Sequence, residues 1–273
     1  MSSLILIDTS YTNFYRFYAT IKWYSFAFVD NFKQENNNEY DWSLNTIFME
    51  KYEKMYLNSI INIFNKDIYN NSKIIFCMDS NLNTLWKTKK YADYKYKRKM
   101  IIKKYNYTNV FKYTFDILIP NIIKNNSNIY YININKLEAD DIIGCICIYL
   151  KNNENNIHII SSDKDLLQLG RNNVYFYDYK LKKSITLSEA EAYILLKKKI
   201  IYGDISDCIQ GIYEKGYNIK KKDLIDDDIL NEYLNKNIKA KEKYTFNQKI
   251  IDFNYIPTKY YNKVVNKFIK IFK

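Results

Sequence analysis

Short apolar runs alternate along the chain with longer stretches whose apolar positions recur every three or four residues. Leu4–Ile7, Lys73–Met78, Ile129–Ile134 and Ile157–Ile160 read as strands, with Val174–Tyr177 as another. Ile47–Asn65, Leu137–Leu150 and Ser188–Tyr202 read as helices. In the second of these Ile142, Ile143, Ile146 and Leu150 form one stripe. Strand–helix alternation of this kind predicts an α/β fold with a mostly parallel sheet. Residues 201–273 read as helical and lysine-rich, an appended subdomain after a core over residues 1–200. No repeat and no linker stands out.

Composition narrows the class. The chain has 273 residues, 47% of them hydrophobic, with only 5 Gly and 2 Pro, which excludes collagen-like and Pro/Gly-rich disordered proteins. No apolar run approaches a membrane span, and Met1–Ile7 is short and lacks the basic flank of a signal peptide. The predicted location is therefore cytoplasmic or nuclear. With 42 Lys and Arg against 30 Asp and Glu, the net charge of +12 favours a polyanionic partner, nucleic acid before membrane. The only arginines are Arg16, Arg98 and Arg171. Abundant Lys, Asn, Ile and Tyr, all with A/T-rich codons, point to an A/T-rich genome, viral or parasitic. On that view the runs Asn36–Asn38 and Asn152–Asn156 are loops, and part of the positive charge is codon drift.

Cysteines 77, 145, 147 and 208 form no Cys-x-x-Cys pair, and His158 is the one histidine. A zinc centre and a histidine-based hydrolytic triad are therefore poor candidates. His158, in an apolar run, is expected in the core or at a sheet edge.

The acids carry the chemistry. Asp8 follows the first strand and Asp79 the second. Glu138, Asp140 and Asp141 follow the third, and Asp163 and Asp165 the fourth, after Ser161 and Ser162. Any one of them has an alternative reading as a helix cap or dipole partner. Recurrence after four strands favours one crevice at the carboxyl ends of the sheet. Glu138 and Asp141 share a helix face by their spacing, as do Asp204 and Asp207 in Gly-Asp-Ile-Ser-Asp. So many carboxylates raise one another's pKa unless cations compensate. Oxygen-only ligation suits Mg²⁺. A basic protein with an acidic metal crevice suits phosphodiester hydrolysis with two ions about 3.5–4 Å apart.

The stretch Trp86–Lys104 holds nine Lys or Arg and one acid. If it is helical, Lys87, Tyr91, Tyr94 or Lys95, and Arg98 line one face. Basic residues interleaved with tyrosines suit single-stranded nucleic acid. The alternative is a solvated basic helix.

These segments together resemble the flap endonuclease and 5′–3′ exonuclease family. The resemblance rests on Leu4–Arg16 (LILIDTSYTNFYR), Phe76–Asp79 (FCMD), Tyr94–Arg98 (YKYKR), Leu137–Ile143 (LEADDII), Ser162–Leu169 (SDKDLLQL) and Gly203–Gly211 (GDISDCIQG). It implies a PIN-like core with a helical arch at about residues 86–104. A helix-hairpin-helix-like, DNA-binding C-terminal subdomain would follow. It also implies two Mg²⁺ ions, with Mn²⁺ able to substitute, and K⁺ at the C-terminal hairpin. Asp8, Asp79, Glu138 and Asp140 would hold the first divalent ion. Asp141, Asp163, Asp165, Asp204 and Asp207 would serve the second. Lys95 and Arg98 would act on the scissile phosphate, with Tyr94 near the displaced nucleotide. Arg16, Lys87, Lys90, Tyr91, Gly211 and Gly216 would contact nucleic acid. The implied activity is cleavage of DNA 5′ flaps or 5′ ends, RNA primers and RNA–DNA hybrids included; a monomer is the expected state, since nothing in the sequence suggests an interface.

The sequence also departs from the family pattern. Cys208 and Gln210 stand where the family has Asn and Pro, and Glu214 where a third hairpin glycine is expected. Trp86 stands where a basic residue is expected, and the gap from Asp8 to Arg16 is one residue longer than usual. The region Ile21–Tyr56 has no family counterpart. Two other readings are a catalytically reduced, structure-specific nucleic-acid binder and a PIN-type ribonuclease. Cleavage of matched DNA and RNA flaps separates them.

Overall fold

The computed structural model describes residues 3–64, 66–96, 104–180, 183–214 and 220–272. The chain opens with strand β1 (Ser3–Asp8), then helices α1 (Thr9–Ala27), α2 (Val29–Glu35), α3 (Thr46–Ile61) and α4 (Lys66–Asn71). Strand β2 (Ser72–Met78) leads to a short helix α5 (Trp86–Lys90), then α6 (Thr108–Tyr113) and α7 (Ile119–Lys124). Strand β3 (Ile129–Asn133) is followed by α8 (Ala139–Tyr149), β4 (Ile157–Ile160), β5 (Val174–Asp178) and β6 (Lys183–Ile185). The remainder is α9 (Glu189–Tyr202), a small hairpin of β7 (Gly203–Asp204) and β8 (Ile209–Gln210), α10 (Asp227–Lys236), α11 (Ile238–Ile251) and α12 (Thr258–Phe272).

Six strands form one sheet in the order β3-β2-β1-β4-β5-β6. All neighbours run parallel except β6, which pairs antiparallel with β5. The five strands read from the sequence are these, and β6 is the addition. Its Lys-Ser-Ile is too short and too polar to give a pattern. The chain moves from β1 outward to β2 and β3, then returns to place β4 on the other side of β1. Such a reversal opens a crevice at the carboxyl ends of the two central strands.

Both faces of the sheet are covered, so its strands are apolar throughout. Leu4 and Leu6 point to one face, where they meet Ile142, Ile146, Val264 and Phe268 from α8 and α12. Ile5 and Ile7 point to the other, against Phe17, Trp42, Phe48, Tyr52 and Tyr56. That second layer is rich in aromatics, and much of it comes from the Ile21–Tyr56 region. The segment after residue 200 divides in its packing. Leu230, Tyr233 and Ala240 form a cluster with Ile201. By contrast α12 packs against α8 beneath the sheet. His158, on β4, is buried against Tyr175 and Phe64. Burial lowers its pKa to about 4. None of the helices, among the described residues, is long and apolar enough to cross a membrane.

Candidate metal centre

The crevice forms where local chain chemistry puts acids at strand ends. Asp8 closes β1 and at the same time caps α1, accepting from the Tyr11 amide at 3.0 Å. Its other oxygen accepts from Ser161 Oγ at 2.8 Å, which ties β1 to the end of β4. Asp79, just past β2, accepts from the Ala139 amide at 2.7 Å, the first amide of α8. Glu138 precedes that helix, and its own amide donates to Asp141 at 3.3 Å. Asp163 caps the turn after β4 and accepts from the Asp165 amide at 2.9 Å. These side chains border a cavity of about 430 Å³ lined by Asp8, Asp79, Glu138, Asp140 and Asp163, with Tyr11 and Phe14 on one edge and Lys95 among the lining residues.

Carboxylate oxygens from three overlapping sets come within 4.8 Å of one another. The sets are Glu138–Asp140–Asp141, Asp140–Asp163–Asp165 and Asp165–Asp204–Asp207. Asp140 and Asp165 are each shared, so the acids form one continuous line from α8 to the β7–β8 hairpin. These donors are all hard oxygens, a set that fits Mg²⁺ or Mn²⁺.

The electrostatics differ along that line. Burial raises the Asp8 pKa to about 7, and the neighbouring Asp79 adds to the rise. Burial likewise raises Asp79, with hydrogen bonds from Ser10 and Ala139 opposing. Asp140 is held well above the usual carboxylate range by burial, against the pull of Lys87. Glu138 goes the other way. Burial pushes it up, but Lys87 and Lys95 bring it down to about 2. At the far end Lys199 bridges Asp165 and Asp204, at 2.7 Å from the latter. Burial pushes Asp204 up, yet Lys199 and Ser206 bring it down to about 2.

The basic stretch after Asp79 does not form one continuous helical face. Helix α5 ends at Lys90, and Tyr91 turns extended at its C-terminus. Lys87 and Lys95 turn inward to the acids instead. Lys87 is only 4% exposed and reaches Asp141 at 2.9 Å, Glu138 at 3.3 Å and Asp140 at 3.7 Å. Tyr94 is buried and donates to Glu138 at 2.8 Å. Lys95 takes up a left-handed backbone, φ 56°, and meets Glu138, with Asp207 at 4.0 Å. Lys90 is exposed beside the Trp86 ring. Tyr91 packs on Phe246 and donates to the Cys208 carbonyl. Trp86, in the place of a basic residue, donates its indole N–H to Asp141 at 2.8 Å. Asp141 is fully buried among these partners. Arg98 lies outside the described residues, as does Gly216.

Arg16 lies away from the acids, beneath the Tyr15 and Tyr179 rings. Gly203 and Gly211 make the β7–β8 hairpin possible. Gly203 has φ 73°, and a Cβ there would come within 2.4 Å of the Ile209 carbonyl oxygen. Glu214 is paired with Lys243 at 2.6 Å. Two residues of the site carried no signal in the sequence. Ser161 stood out only as a neighbour of the acids, and Lys199 was one of three consecutive lysines on a lysine-rich helix.

A family model described as the 5′-3′ exonuclease, N-terminal resolvase-like domain, matches residues 3–198. A 5′-3′ exonuclease of Mycoplasmopsis pulmonis is 43% identical over 82 residues, 28% of this chain and 27% of the relative. One from Buchnera aphidicola subsp. Schizaphis graminum is 34% identical over 171 residues, 59% of this chain and 54% of the relative. The chain thus spans about half or less of the length of these curated relatives. The fold matches the bacteriophage T5 5′-exonuclease with bound zinc ions, at TM-score 0.62 and 14% identity, over 99% of this chain and 100% of that one. It also matches the T5 flap endonuclease in a pseudo-enzyme-product complex with DNA and metal ions. There the TM-score is 0.60 with 14% identity over 98% of each chain.

Proposed function

The chain belongs to the 5′-3′ exonuclease family, and from that premise we propose a structure-specific, metal-dependent 5′-nuclease. It cuts DNA 5′ flaps or trims 5′ ends, with RNA primers and RNA–DNA hybrids as further substrates. One observation carries this reading. Acids that follow β3 and β4 and acids of the β7–β8 hairpin form overlapping oxygen-donor sets, and Asp8 and Asp79 from the ends of β1 and β2 line the same crevice, in a protein of net charge +12.

Asp8, Asp79, Glu138 and Asp140 would hold one Mg²⁺ or Mn²⁺ ion. Asp163, Asp165, Asp204 and Asp207 would hold the second, with Asp141 setting the position of Lys87 and Trp86. Bound divalent ions supply neutralising charge and polarise the phosphate and water oxygens. The protein's own groups do the rest. Lys95, on the crevice wall against Glu138, would meet a phosphate oxygen and stabilise charge developing on it. Arg98 is its proposed partner. Tyr94 holds the Glu138 carboxylate in place through its hydroxyl. Tyr11 and Phe14 on the crevice edge offer rings for a terminal base. Lys90 and Tyr91 extend the contact along the strand. Gly211, with Gly216 and K⁺ at the hairpin, would meet duplex phosphates. The enzyme is expected to act as an intracellular monomer.

The test is a 5′-labelled flap incubated with Mg²⁺ beside an EDTA control and Asp163→Asn. Metal-dependent cutting near the junction, lost in the variant, is the expected result. Tight binding with no cutting in Mg²⁺ or Mn²⁺ would replace this reading by a non-catalytic DNA binder.

A further inference from the structure

Helix α1, capped by Asp8 at the crevice, carries Phe26 eighteen residues further on, about 27 Å along its axis. At that distance from the acids four large apolar side chains face water. Leu44 is 79% exposed, Phe26 74%, Val29 51% and Ile47 45%. Phe26 and Val29 flank the break between α1 and α2, while Leu44 and Ile47 flank the start of α3. The half-buried Trp23 joins the two pairs. Its ring lies 5.9 Å from that of Phe28 and 4.7 Å from Nζ of Lys51, one turn beyond Ile47.

The layer beneath is close-packed. Trp42 is fully buried, with the Tyr40 and Phe48 rings 4.9 Å away and that of Tyr24 at 5.4 Å. A core filled to that extent does not admit four more large side chains. A single exposed leucine is ordinary, but apolar side chains gathered on one face mark an interaction site.

The charge changes sign on the same face. Residues 29–50 hold five acids and one lysine, in a protein of net charge +12. That lysine, Lys33, pairs with Asp30 at 2.9 Å. Glu39 and Glu50 are exposed and form no ion pair among the described residues. Negative charge disfavours nucleic acid here. Two copies of a chain with so large a net charge repel each other, which disfavours a second copy.

We propose that this face docks a partner protein through a basic amphipathic segment. The apolar side of that segment covers Phe26, Val29, Leu44 and Ile47, and its cations meet Glu39 and Glu50.

The test is a fluorescence-anisotropy titration of the whole chain into a labelled helical peptide of lysine and leucine, its leucines all on one face. The wild type should bind with a Kd of roughly tens of micromolar or tighter, weakening as salt rises. Asp163→Asn, in the crevice, should bind alike. Leu44→Ser and Phe26→Ser, at exposed positions where truncation leaves the core intact, should each weaken binding about tenfold. Glu39→Lys should weaken it about threefold. A counterpart peptide with glutamate in place of lysine should not bind. The proposal is overturned if neither peptide binds, if both bind equally, or if binding ignores Leu44→Ser and Phe26→Ser. Sedimentation of the protein alone supplies a further check. A dimer that Leu44→Ser returns to monomer would make a second copy the occupant and overturn the proposal as well.

Discussion

Asp8 and Asp79, at the ends of β1 and β2, form no ion pair among the described residues. Asp165 and Asp204, at the end of the line of acids that starts on α8, share Lys199. At the first pair burial pushes both carboxyls up, and the neighbouring Asp79 adds to the rise of Asp8, to about 7. At the second, the lysine brings Asp204 down to about 2 despite burial. The first pair thus has no ion-paired cation among the described residues, and only Lys95 on the same crevice wall offsets the rise at Asp79. The other carries an internal counterion, Lys199, which a metal ion held there would have to displace or share. Glu138, between them, is held by Lys87 and Lys95 and behaves like the second type.

The largest expected effect is at the uncompensated end. Asp8→Asn should lower cleavage by roughly three orders of magnitude or more. It should also raise the stability of the metal-free protein. A carboxyl with a raised folded pKa stabilises most at low pH, and that stability is lost as pH rises towards about 7. At pH 8 the amide avoids this cost, a gain of about 1–3 kcal/mol in denaturant melts. A variant that cuts normally, or gains nothing at pH 8, would break the contrast.

Metal binding itself sharpens the comparison. Mg²⁺ must compete with the Asp8 proton, so its affinity should fall as pH drops through about 7. Saturating Mg²⁺ should therefore raise the melting temperature more at pH 8 than at pH 6. A gain of about 2.7 kcal/mol is expected at a hundredfold excess over Kd. Equal shifts at both pH values would remove Asp8 from the ligand set.

A smaller effect follows at the compensated end. Lys199→Met leaves Asp165 and Asp204 facing each other. It should destabilise the protein in EDTA by about 1–2 kcal/mol, with saturating Mg²⁺ recovering most of the loss. No difference between EDTA and Mg²⁺ would mean that Lys199 does not stand in for a cation.

The smallest effect is at the hairpin. Cys208 has φ 62°, a conformation that costs an ordinary residue roughly 1 kcal/mol and that asparagine tolerates better. Cys208→Asn should stabilise by up to about 1 kcal/mol in thermal melts. A loss would show that the Cys208 thiol contributes packing that outweighs the backbone strain.

What the sequence determined by itself was the frame. Uninterrupted apolar runs specify strands buried on both faces, and the helices between them force parallel pairing. Acids placed directly after those runs must emerge at one end of the sheet, because parallel strands share a direction. Asp8, Asp79, Glu138 and Asp163 were legible for that reason. The sequence could not assign the lysines. Lys87, Lys90 and Lys199 look alike in a lysine-rich chain, yet one is buried among three carboxylates, one is exposed and one bridges two acids. Arg16 is a similar case, a basic residue of helix α1 that ends up against the stacked rings of Tyr15 and Tyr179. Only the tertiary structure decides such questions. A charge's role depends on its distance to partners from other strands and on the water excluded around it, and neither is a property of the residue or its neighbours in sequence.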